Sequence, residues 1–87
     1  MIKYKTDLPL EELIYNVNEK IEIARKQSGD PGFLMVSNVD GEDVEQFRAD
    51  FVKRGYKVSN LTITGKIAIL WDENQLKGFA MSGYSFE

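Results

Sequence analysis

Leu10, Leu13, Ile14, Val17, Ile21 and Ala24 recur at steps of three and four. That spacing places them along one face of a helix, with Glu11, Glu12, Asn16, Glu19 and Lys20 elsewhere. The sequence predicts a helix from about Pro9 to Ser28. Asp7 can cap its first amides, Pro9 suits the first turn, and Glu11 and Glu12 favour the positive end of the helix dipole. Arg25 and Lys26 suit the other end, and Gly29-Asp30-Pro31-Gly32 stops it. A helix with one apolar face needs a second layer to cover that face.

The remaining apolar segments have strand length. Phe33 to Ser37 is a short run between turn residues and reads as a strand. Asp40 and Asp43 resemble a capping pair opening a second helix, which ends near Arg54-Gly55 and carries Val44, Phe47 and Phe51, with Val52 beside them, as its stripe. Tyr56 to Thr64 and Ile67 to Trp71 read as a hairpin around Gly65. A three-residue connection sets Ile63 opposite Ile67 and Leu61 opposite Ile69, keeping aliphatic side chains together. Val58 and Leu61 have opposite parity, so both reach the core only through a bulge at Ser59-Asn60. Ile2 to Lys5 alternates and suits a short strand of its own.

Residues 1–87 therefore read as a single α+β domain in the order α-β-α-β-β. The expected architecture is a two-layer sandwich, with two helices on one face of a small mixed sheet that ends in a C-terminal hairpin. The second helix provides a crossover between the strand at Phe33 and the one at Tyr56. Beyond Asp72-Glu73-Asn74, residues 75–87 leave two alternatives, an extra edge strand through Phe79 and Met81 or a mobile aromatic tail.

Composition limits the chemistry. The chain has no His and no Cys, which excludes imidazole bases, thiol nucleophiles, thiolate metal sites and disulfides. No cofactor and no metal are expected, and the chain reads as no enzyme, although Lys66 and Lys77 remain available as bases. Against 14 acidic residues stand 11 basic ones, a net charge of −3 without any basic cluster, so nucleic acid is not an expected partner. The same balance is too even for an acidic mimic of DNA. The longest apolar runs, Phe33 to Val36 and Ile67 to Trp71, fall far short of the ~20 residues that span a bilayer. No membrane contact is expected, and the start of the chain lacks the apolar run of a secretory signal, so the expected location is cytoplasmic.

Three motifs reduce to structure. Placing Gly41 at the sixth position of a calcium loop puts Val36 first and Phe47 twelfth, and neither can supply a carboxylate. Thr64-Gly65-Lys66 lacks the glycines and following helix of a phosphate loop. Glu11-Glu12 and Asp72-Glu73 are adjacent acids without other signs of a cleft. The aromatic end of the chain is different: Trp71, Phe79, Met81, Tyr84 and Phe86 either complete their own domain or meet a partner, and they are the candidate partner-binding residues.

Lys53-Arg54-Gly55-Tyr56-Lys57-Val58 and Ile67-Ala68-Ile69-Leu70-Trp71 give residues 9–71 a pattern that resembles small uncharacterised proteins of tailed bacteriophages. Those proteins combine a charged helix, a short strand, a helix ending in Gly-Tyr/Phe-Lys-Val, and a hairpin finishing in Trp. The resemblance implies a phage origin, the cytoplasm of the host cell, and a virion-associated or host-interaction role. The expected function is protein–protein contact, with itself as a homo-oligomer or with another chain; the alternative is a small regulator or inhibitor that binds a host enzyme.

Overall fold

A computed structural model describes residues 9–37 and 39–86 of the chain. The strand expected over Ile2 to Lys5 and the capping role of Asp7 lie outside those residues. Helix α1 spans Leu10–Lys26, strand β1 Phe33–Ser37, helix α2 Val44–Lys53 after a single 3-10 turn at Gly41–Asp43, strand β2 Lys57–Val58, strand β3 Lys66–Leu70 and helix α3 Asn74–Met81. The fold is α+β in the order α-β-α-β-β, continued by a third helix.

The sheet order is β1-β3-β2, with both neighbouring pairs antiparallel. β1 and β2 run in the same direction, as their helical crossover requires, but β3 lies between them. The sheet is therefore antiparallel throughout, where a mixed one was expected. The central place suits β3, whose Ile67, Ala68, Ile69 and Leu70 are all buried.

Alternation along the strands separates two faces. Leu34, Val36, Val58, Ile67 and Ile69 share one face through the pairings Leu34↔Ile69, Val36↔Ile67 and Val58↔Ile69. α1 and α2 cover that face, adding Val17, Ile21, Phe47 and Phe51 to a single core cluster. Phe33, Met35, Ala68 and Leu70 occupy the other face. There Phe33 meets Phe79 of α3 edge-on, with ring centroids 4.9 Å apart.

The hairpin departs most from expectation. Its connection has three residues, Ile63 to Gly65, with Thr62 N–H donating to the Lys66 carbonyl at 3.0 Å and Gly65 N–H to the Thr62 carbonyl at 2.9 Å. The turn sits one residue earlier than aliphatic pairing suggested. Gly65 has φ of 81°, a left-handed conformation that belongs at the last position of such a loop, and this fixes the register. The Thr62 hydroxyl takes the Lys66 N–H at 3.0 Å, because the Thr62 carbonyl is already engaged.

Regular pairing of β2 stops at Val58, short of the Thr64 expected. Ser59 N–H donates to the Ala68 carbonyl at 2.9 Å, but Ala68 N–H returns its bond to the Ser59 hydroxyl at 2.8 Å. The displaced carbonyls of Ser59 and Val58 accept Arg48 Nε and Nη2 of α2 at 2.9 and 3.1 Å. Asn60 and Leu61 then face the single residue Ile67, which makes a bulge. The irregularity at Ser59-Asn60 turns Ser59 inward and leaves Leu61 exposed.

Ser59→Ala strands the buried Ala68 N–H without its acceptor and is expected to cost about 1–3 kcal/mol. Arg48→Met keeps the apolar stem and strips two carbonyls of a charged donor, at about 1.5–3 kcal/mol. Urea unfolding checks both: a lower midpoint at unchanged slope is the expected result, and an unchanged midpoint contradicts it.

Candidate interaction surface

Trp71 ends β3 where the chain turns back over β1. Its backbone N–H and that of Asp72 both donate to the Gly32 carbonyl, at 3.0 and 3.2 Å. The indole N–H donates to Asp30 Oδ1 at 2.9 Å, and the same oxygen accepts Gly32 N–H at 2.9 Å. The ring packs edge-on to Tyr56 at 6.2 Å, and Tyr56 leads through Phe51 to Phe47 in the core. Arg25 lies 5.9 Å from the Tyr56 ring centre and donates to its hydroxyl at 3.3 Å. Trp71 thus seals one end of the domain.

Residues 75–86 adopt neither of the expected forms. α3 begins where Asp72 Oδ1 accepts Asn74 N–H at 3.0 Å. It ends in a left-handed Gly83, with Gly83 N–H donating to the Ala80 carbonyl at 3.2 Å and Tyr84 N–H to the Phe79 carbonyl at 3.0 Å. Tyr84 then closes edge-on against Phe79 at 5.2 Å. This is a Schellman ending with its apolar contact. α2 ends the same way: Gly55 and Tyr56 N–H groups donate to the carbonyls of Val52 and Phe51, at 2.9 and 3.1 Å. The two endings share one pattern, Phe-x-x-x-Gly-Tyr, over Phe51 to Tyr56 and Phe79 to Tyr84. That repetition was the available signal for α3; strand parity through Phe79 and Met81, and the weak helix propensity of Gly78, concealed it.

After the helix, Phe86 forms an isolated antiparallel bridge with Ser59, and Asn60 N–H donates to the Ser85 carbonyl at 2.8 Å. Of the five candidate residues, Trp71, Phe79, Tyr84 and Phe86 are therefore at least partly taken up by their own domain. Met81 differs, at 78% exposed.

The structure brings forward two residues the sequence assigned to the core. Leu61 is 39% exposed, and Ile63, at the tip of the turn, is 105% exposed. The turn from Leu61 to Thr64 faces Ser82, Gly83 and Tyr84 across an open groove of about 400 Å³. No charged residue lies between Asn60 and Gly65, or between Gly78 and Phe86. A β-branched aliphatic in the second position of a turn does nothing for the turn itself, where Pro or a polar residue would serve. Isolated exposed aliphatics are ordinary, but here two lie beside an uncharged groove.

A second cleft of about 260 Å³ lies between Val52, Tyr56 and Lys57 on one side and Trp71 to Glu73 on the other. Lys66 and Lys77 line neither cleft. Among the described residues, no group of three or more acidic side chains is placed to hold a metal ion, and no helix is long and apolar enough to cross a membrane. No protein family, curated protein or solved structure matches the chain.

Gly83→Ala puts a side chain on a left-handed residue and should cost about 1–2 kcal/mol. Gly83→Asn, which tolerates that conformation, should cost less. Thermal melts of the two variants check the order, and equal losses would mean that the left-handed backbone at Gly83 is not the source of the cost.

Proposed function

We propose that this chain is a non-enzymatic domain that acts through protein–protein contacts, with the Leu61–Ile63 turn and its facing groove as the contact surface. The observation that carries this reading is the complete exposure of Ile63 in an uncharged setting, on a chain in which 29% of residues are charged. Met81, close to the other wall of the groove in sequence, adds apolar area. A chain without imidazole or thiol has few groups with which to run covalent or acid–base chemistry near neutral pH, and this favours recognition over catalysis. The likeness of residues 9–71 to small tailed-phage proteins suggests the setting, a virion or the cytoplasm of an infected cell. A regulator that binds one host enzyme is the same reading with a different occupant.

Ile63→Asp and Met81→Asp test it. Both sites are exposed, so stability should change by no more than about 0.5 kcal/mol. Ile63→Asp is expected to abolish capture of the cognate protein from host lysate, and Met81→Asp to weaken it. Capture undiminished in both variants would overturn the reading.

A further inference from the structure

Among the described residues, the outer edge of β1 is a second available surface of the sheet. The Gly32 carbonyl accepts Trp71 N–H, and both backbone groups of Ala68 point to Ser59 on the β2 side, the carbonyl accepting Ser59 N–H and the N–H donating to the Ser59 hydroxyl. Antiparallel alternation then sets Leu34 and Val36 in hydrogen-bonded pairs with Ile69 and Ile67. It follows that the N–H and C=O groups of Phe33, Met35 and Ser37 point away from the sheet. Edge strands are ordinarily protected from pairing by a charge, a proline or a bulge. Phe33 to Ser37 contains no charged residue and no proline, and its register with β3 is continuous.

We propose that this edge pairs with the same edge of a second copy, about a two-fold axis through Met35, to make one continuous six-stranded antiparallel sheet. The register is self-complementary. Phe33 of one copy faces Ser37 of the other, Met35 faces Met35, and every outward group finds a donor or acceptor. Leu34 then lies beside Val36 of the other copy, so the face covered by α1 and α2 continues across the join.

The charges on α1 select this occupant. α1 packs over β1, and a two-fold axis normal to the sheet sets the two α1 helices antiparallel and side by side. The acidic first turn of one, with Glu11 and Glu12, then lies toward the basic last turn of the other, with Arg25 and Lys26. α1 also carries Tyr15 and Ile23, exposed at 63% and 57%, beyond what its own core uses. This surface is separate from the Leu61–Ile63 turn, so either can fail while the other stands.

Sedimentation equilibrium of the full chain, with hydrogen exchange of individual amides, tests the proposal. The expected result is a mass twice that of one chain and slow exchange at Phe33, Met35 and Ser37. Met35→Pro removes an outward donor and no bond among the described residues. It should give a monomer with an unchanged circular dichroism spectrum and fast exchange at Phe33 and Ser37. Should that variant fail to fold, a charge exchange decides. Arg25→Glu with Lys26→Glu should weaken the dimer about fivefold at low salt, and Glu11→Lys with Glu12→Lys in the same chain should restore it. A monomer at millimolar concentration overturns the proposal, as does a dimer that responds to none of these changes. Slow exchange of the three amides in a monomer overturns it too, since another part of the chain then holds the edge.

Discussion

Four consecutive residues of β3, Ile67 to Leu70, are buried, and the rest of the structure answers to that fact. Successive side chains in a strand point to opposite faces, so a run of this kind cannot be satisfied by helices on one side alone. α1 and α2 close over Ile67 and Ile69, and α3 closes toward the face of Ala68 and Leu70 through the Phe33–Phe79 contact. The central place of β3 in the sheet has the same origin, because β1 and β2 then supply both edges with hydrogen-bond partners. In a chain this short, one strand covered on all sides is most of the core the sequence can build.

A polar arrangement holds the weak side of that core. The Ser59 hydroxyl stands in for its own carbonyl opposite Ala68, and Arg48 reaches from α2 to the two carbonyls turned outward. The bulge therefore leaves no buried side-chain polar atom without a partner among the described residues. Next to it Asn60 N–H donates to the Ser85 carbonyl, which holds the C-terminal segment against this strand. A regular ladder through Asn60 and Leu61 would have turned the polar Asn60 toward the core face of Val58 and set Leu61 on the face of Ser59. The irregular strand thus keeps Asn60 out of the core and sets the register of the hairpin that exposes Leu61 and Ile63.

The aromatic residues of the chain's end show how composition and placement differ. As a sequence, Trp71, Phe79, Tyr84 and Phe86 look like surplus apolar area. In the fold, Trp71 and Tyr56 extend the core outward along an arc of rings, and Tyr84 clasps Phe79 at the end of α3. In this half of the chain the exposed apolar side chains are Leu61, Ile63 and Met81, none of which is aromatic. Sequence reading located Met81 and missed Leu61 and Ile63, because it matched aliphatic residues across the hairpin and gave less weight to the backbone demand of Gly65.

Helical periodicity and stop signals by themselves determined α1, α2 and their shared face, since residues three and four apart meet without help from the rest of the chain. They also determined the α-β-α-β-β order and placed β1 and β3 within a residue of where they lie. The tertiary structure alone decided that β3 sits between β1 and β2, that the hairpin register shifts at Gly65, and that the segment after Asp72 becomes a helix. Each of those choices depends on partners distant in sequence: which edge is free, which face is bare, and which carbonyl Arg48 can reach. A single chain pattern, read locally, contains none of that information.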